Sequence, residues 1–347
     1  MSVYVATEDA LFVGREDGET RISLDGERPE CVLATAPTVD EGGAEVEDRI
    51  DGAAADDEAA ADRVLVGTFE SGLARSVDGG ASFERVDDLA GAAVTSLARS
   101  PTDPDECWAG TEPSALYRST DGGRTWSQCG GLTDLPSSDR WSFPPRPYTH
   151  HVRWIEVDPA DPARLYLGIE AGALVRTPDR GTTWLDHPDG ARRDVHSMAT
   201  HPDAPGRVYV AAGDGYAEST DAGDSWTHPQ DGLDHRYVWS VAVDPADPDA
   251  RLVSAASGPR AAHSAGTAES YVYRATGDGW TRLDDRGLPM GPGVTRPVLR
   301  ALGPRSFLAA SNRGLYRSDD RGDSWRALGY DWPERFAEGT VRSVAVT

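Results

Sequence analysis

Arg118-Ser119-Thr120-Asp121-Gly122-Gly123-Arg124-Thr125-Trp126 decides the fold, because the stretch recurs along the chain. Copies of it end at Phe83, Trp126, Trp184, Trp226 and Trp325, and a degenerate copy ends at Trp280. The intervals between successive ends are 43, 58, 42, 54 and 45 residues, so a unit of just over 40 residues repeats with two insertions. A period of about 40 to 50 residues marks propellers, in which each repeat is one blade.

Each unit reads as four short strands, A to D. In the third unit they fall at 94–99, 107–111, 115–119 and 125–129, and further A strands start near Val152, Val195, Val238 and Val298. Two partial units settle the count. Residues 2–26 supply strands B, C and D, while Val341-Arg342-Ser343-Val344-Ala345-Val346 is an A strand with nothing after it. Together they make one blade, which closes the ring and removes exposed sheet edges. The expectation is an all-β chain, residues 1–347 forming a single seven-bladed β-propeller closed by pairing of the C-terminal strand with the N-terminal blade. Residues 38–62 are rich in Ala, Asp, Glu and Gly and read as a disordered, solvating insertion in the A-to-B turn of blade two.

The motif Ser/Thr-x-Asp-x-Gly-x-Thr/Ser-Trp resembles the Asp box, or BNR repeat. Over nearly the whole chain the sequence is similar to the propellers of sialidases, xyloglucanases, sortilin-type receptors and photosystem II assembly-factor relatives. The resemblance implies the fold strongly and an activity weakly. The boxes themselves are structural on this reading: the carboxylate of Asp121 accepts backbone N–H groups in the C-to-D turn, and Gly123 supplies a conformation other residues resist.

The 347 residues carry 58 acidic and 34 basic side chains, a formal net charge of −24, and every basic residue is Arg. An acid-covered surface keeps a protein hydrated where salt screens charges to within about 3 Å at 1 M, which points to a halophilic source; a GC-rich genome that writes Arg for Lys is the alternative. The same field repels nucleic acids and anionic membranes, so neither is expected as a partner. Cys31, Cys107 and Cys129 have no metal-binding spacing and read as reduced core residues. No apolar run reaches the roughly 18 residues of a membrane span, and the sequence enters a strand pattern from its first residues, so a cytoplasmic monomer without a cofactor is expected.

Strand order places D-to-A connections and B-to-C loops at the end opposite the Asp boxes. There the repeat breaks down. The residue after the repeated Val of strand A is Thr95, Arg153, His196, Trp239, Leu299 and Arg342 around the ring, and the residue before it includes His151, Asp194 and Tyr237. The B-to-C loops add Glu8, Glu112, Glu170, Asp214 with Tyr216, and Asn312; Glu8 and Glu112 read as surface acids. Both insertions, 130–150 and 257–270 with His263, fall at this end. Long loops over a closed scaffold are commonly lids or binding loops.

Three functions fit. The first is recognition of a small molecule, glycan or peptide, or service as an assembly factor, with His151, Arg153, Tyr216, Tyr237, Trp239 and His263 as ligand-binding residues. The second is glycoside hydrolysis, with Glu170, Asp194, Asp214 and His196 as the catalytic candidates and two carboxylates about 5 to 9 Å apart. The resemblance to sialidases implies an arginine triad, for which Arg153, Arg296 and Arg342 are placed, but the N-terminal Arg-Ile-Pro motif is absent. Xyloglucanase-type enzymes use a cleft between two propellers, and one is read here. The third is a metal site of His151, His196 and Asp194, for which no compact ligand motif exists.

Overall fold

The computed structural model describes residues 1–37, 61–277 and 279–347, and its strands form seven small sheets. The proposed insertion at 38–62 lies outside the described residues except at its end. There Asp62 is buried and accepts hydrogen bonds from the hydroxyls of Tyr4 (2.6 Å) and Thr347 (2.7 Å).

Blade three has its strands at Ala93–Arg99, Cys107–Glu112, Leu116–Ser119 and Ser127–Cys129. The A strands of blades two and four to seven run Pro29–Thr35, Val152–Val157, Val195–Thr200, Tyr237–Asp244 and Val298–Gly303. In blades four and five the outermost strand shrinks to single bridges, Arg176 with Leu185 and Glu218 with Thr227. Ser343–Val346 pairs antiparallel with Val3–Ala6, in register from Val3–Val346 to Ala6–Ser343, and so completes blade one. No helix among the described residues is long and apolar enough to cross a membrane.

Successive A strands lie side by side around the axis. They approach closely because strand B of the preceding blade carries glycine where the next A strand packs. A Cβ on Gly110 would stand 2.6 Å from Val152 Cβ, and one on Gly168 would stand 2.6 Å from Val195 Cγ1. The repeated Val therefore fills the space a missing side chain leaves, and the spaces between blades become the core. The aromatic residue of each box joins that core. Trp126 packs with Leu65 and Leu73 of blade two, and Trp325 with Val272 and Leu283 of blade six.

The residue after the repeated Val has a distinct geometry. Pairing between strands A and B slips between Pro29 and Cys31, Val94 and Ser96, Val152 and Trp154, Val195 and Ser197, and Val238 and Ser240. Each slip is a β-bulge, and the extra residues are Glu30, Thr95, Arg153, His196 and Trp239. A bulge re-aims a side chain that the pleat would send elsewhere. Bulged residues also stitch blades together: the Thr95 hydroxyl donates to Val152 O (2.8 Å) and His196 Nδ1 donates to Val238 O (2.7 Å).

The Asp-box turns pack on the A-to-B turns of their own blades, as Gly122 N donates to Asp105 O and Arg180 N to Ala163 O. Both sets thus lie at one end. The starts of the A strands and the B-to-C turns lie at the other.

Candidate functional site

Between the starts of the A strands lies a cavity of about 500 Å³. Its wall includes Thr95, Arg153, Trp239 and Glu30 from the bulges, and His151, Asp194 and Tyr237 from positions beside the repeated Val. Glu170 comes from the B-to-C turn of blade four, and Arg342 from the segment entering the last strand. Both insertions reach it, one through Phe143 to Arg146 and the other through the short helix Pro259–His263 and Ser264.

Glu170 is the hub. Its Oε2 accepts a hydrogen bond from His151 Nε2 at 2.9 Å and lies 3.6 Å from Arg153 Nε, while its Oε1 lies 4.0 Å from His196 Nε2. Burial opposes ionisation, but the hydrogen bond from His151 and the guanidinium of Arg153 outweigh it and hold the carboxyl well below the usual range. Asp194 behaves oppositely: burial and the neighbouring Glu170 charge push it up to about 6, against a hydrogen bond from Ala171 N to its Oδ1 (3.0 Å). Burial pushes His196 down to about 4, so the ring is neutral near pH 7. Val238 O can only accept, which places the His196 proton on Nδ1 and leaves Nε2 a bare lone pair. That Nε2 is buried without a hydrogen-bond partner, 3.8 Å from Asp194 Oδ2.

A second chain of contacts runs under Trp239. Arg296 is 1% exposed, and its guanidinium carbon stands 3.5 Å from the centre of one Trp239 ring. Burial and the nearby Arg342 and Arg153 disfavour its charge, yet a guanidinium keeps its proton in proteins. Arg296 Nε therefore donates to His263 Nδ1 (3.0 Å), which places the His263 proton on Nε2, donating to Tyr237 Oη (3.0 Å). Burial and Arg296 hold His263 neutral, at about 2. The phenol proton of Tyr237 is then free to point into the cavity.

The structure gathers His151, Arg153, Glu170, Asp194, Tyr237, Trp239 and His263 in the wall of one cavity, with His196 fully buried beside Glu170 and Asp194. It does not bring two others there. Tyr216 is fully buried in the core between blades five and six, edge-on to Trp280 and with its hydroxyl accepting from Arg251 Nε. Asp214 is exposed on the rim, where it accepts from Arg193 N at 3.4 Å, and is not in the cavity wall. The register explains both. Gly168 and Ala211 occupy the same place in their blades, so the equivalent of Glu170 is Gly213, and Asp214 sits one residue too far. Trp239 is not an open stacking platform either, because Arg296 and Arg153 (4.8 Å) pack on its rings. His151 turns to Glu170, so the expected trio of His151, His196 and Asp194 does not assemble; Glu170 takes the place of His151.

Glu112 is a further correction: its side chain is 7% exposed, grips Arg146 through Nε (2.7 Å) and Nη2, and lies 3.6 Å from His151 Nδ1. Sequence reasoning also missed Arg28, Glu30, Phe69, Arg146 and Arg260. A signal for some was present, since Phe69, Glu112 and Glu170 each stand two residues after the strand-B glycine, Gly67, Gly110 or Gly168.

Residues 117–128 match the BNR/Asp-box repeat family. No curated protein sequence matches the chain. Among solved structures, the chain is similar to the GH74 enzyme of Niastella koreensis (TM-score 0.61, 16% identity, 97% of this chain and 54% of that one). It is also similar to the GH74 xyloglucanase of Xanthomonas campestris (0.56, 20%, 77% and 43%) and to YCF48 bound to D1 peptide (0.52, 18%, 77% and 78%). It thus spans about half or less of those GH74 chains. At such identities the likeness is one of fold: the chain is a seven-bladed β-propeller, and its residues 117–128 match the Asp-box repeat.

Proposed function

We propose that the propeller recognises an anionic group, carried by a small molecule, a glycan or a peptide, in the cavity at the end opposite the Asp boxes. One observation carries this reading. In a chain of net charge −24, the cavity wall holds five arginines, Arg28, Arg146, Arg153, Arg260 and Arg342, against three carboxylates, Glu30, Glu170 and Asp194. The free phenol proton of Tyr237 adds a donor, and planar guanidinium forks match carboxylate and phosphate geometry. Glu70 and Glu112 pair with Arg28 and Arg146 from outside the wall, so the cavity is close to neutral and spares a small anion the repulsion it meets over the rest of the surface.

The test is a thermal-shift and calorimetric comparison of citrate, inorganic phosphate, glucuronic acid and a peptide with a free C-terminal carboxylate. Binding of at least one, weakened about tenfold or more in Arg342→Gln, is expected, as removal of a charged hydrogen-bonding partner costs about 1.5–3 kcal/mol. No binding of any, or equal binding by the variant, discards the reading.

A second reading, glycoside hydrolysis, is favoured by the approach of Glu170 and Asp194, whose facing oxygens lie within 4.8 Å. Retaining glycosidases hold their carboxyl groups about 5 Å apart. Turnover of aryl glycosides that vanishes in Glu170→Gln would establish it in place of pure recognition.

A further inference from the structure

Each of Glu170, Asp194 and His196 has one polar atom engaged and one that is not. Glu170 Oε2 is held by His151 and Arg153, Asp194 Oδ1 by Ala171 N, and His196 Nδ1 by Val238 O. The remaining atoms converge: His196 Nε2 stands 4.0 Å from Glu170 Oε1 and 3.8 Å from Asp194 Oδ2, and one ligand atom from each of the three residues lies within 4.8 Å of the others.

This convergence needs an explanation. His196 Nδ1 is committed to Val238 O, and at 4.0 and 3.8 Å Nε2 stands too far from either oxygen for a hydrogen bond. His196 is fully buried and its Nε2 has no partner. A buried imidazole nitrogen without a partner, facing two carboxyl groups, is costly unless a cation lies between them. Engaging the far atom of each donor is also how proteins orient metal ligands: the other imidazole nitrogen donates to a carbonyl, and the ligating carboxylates are themselves hydrogen-bonded.

We propose that Glu170 Oε1, Asp194 Oδ2 and His196 Nε2 bind one divalent transition-metal ion of the Zn²⁺ or Mn²⁺ type in the wall of the cavity. One imidazole and two carboxylates suit these ions better than Ca²⁺ or Mg²⁺, which favour oxygen-only sets. At metal–ligand distances of about 2.0–2.2 Å, tetrahedral donors stand about 3.4 Å apart, so the two separations from His196 need to close by about half an ångström and that between the carboxylate oxygens by up to about 1.4 Å. Three protein donors leave coordination positions open, and two of the donors, Glu170 and Asp194, belong to the cavity wall. The site does not depend on an anion being the cavity's ligand. It does exclude free acid–base work by the same carboxylates, so Zn²⁺ inhibits any glycosidase activity.

The experiment measures uptake of Zn²⁺ alone, and of Mn²⁺ alone, by the apoprotein in 1 M KCl, which suppresses binding to scattered surface acids. The expected result is one saturable equivalent, weakened about tenfold or more in Asp194→Asn, whose carboxylate is replaced at a partly exposed position. Uptake no tighter in wild type than in Asp194→Asn, or no saturable equivalent in wild type, overturns the proposal. Should the variant fail to fold, the electron spin echo of the Mn²⁺-loaded wild type decides. Coupling to one imidazole nitrogen is expected, and its absence overturns the site. Because no anion is added, failure here leaves the citrate and phosphate measurements untouched.

Discussion

Asp121 shows what a single residue of the repeat does. Its carboxylate accepts from Ser119 Oγ, Arg124 N, Thr125 N and Thr125 Oγ1. Asp78 and Asp221 repeat the pattern in their own turns. Replacing Asp121 by Ala strips two backbone donors of their partner and, by analogy with helix caps, should cost about 1–2 kcal/mol in thermal or urea unfolding while leaving metal and anion binding intact. The pH dependence has a definite sign. Burial raises the Asp121 carboxyl, but the hydrogen bonds from Thr125, Ser119 and Arg124 N overcome it and lower the group from 3.8 to about 2. A folded value below the unfolded one contributes stability that is complete above about pH 4 and lost as pH falls toward 2. The stability gap between wild type and Asp121→Asn should therefore close over that window; a gap unchanged from pH 5 to pH 2 would remove the box from the acid response.

At the scale of elements, the last strand carries the ring. Val341, Val344 and Ala345 are buried in cores shared with blades one, two and seven, and Thr347 reaches Asp62. Deleting residues 341–347 should unpair the edge at Val3–Ala6 and produce aggregation or a large fall in melting temperature, read by light scattering and scanning calorimetry. A truncated chain that melts with the wild type would refute closure by this strand. The blade count was legible because Asp, Gly and Trp recur at fixed offsets and because the two end segments complete one another. The cavity was legible where strand A breaks its own pattern, at Arg153 and Trp239. It was not legible at Glu30, because blade two has Pro29 where other blades have Val. It was misread at Asp214 because a one-residue offset in a B-to-C turn turns a side chain away from the axis, and at Tyr216 because that residue lies within strand Gly215–Ser219 and packs between blades. Glu112 was misjudged because an acid in an acid-rich chain looks like surface until its partners, Arg146 and His151, are seen.

Across the whole molecule, 58 acidic residues repel one another more than 34 arginines can offset, although many arginines bridge blades, as Arg180 does to Glu106 and Arg321 to Asp244. Screening acts on the net repulsion at long range and weakens close pairs less. The melting temperature should thus rise from low salt to molar KCl, and a flat or falling curve would leave codon usage as the source of the lysine-free composition. The bulges carry a consequence of their own. Glu30, Thr95, Arg153, His196 and Trp239 stand outside the strand register, so exchanging them leaves the pairing of the sheets unaltered. Thr95 and His196 also hold neighbouring blades, so Glu30, Arg153 and Trp239 are the exchangeable positions on a fixed frame, and a library randomised at these three sites could be selected for new ligands without redesigning a blade.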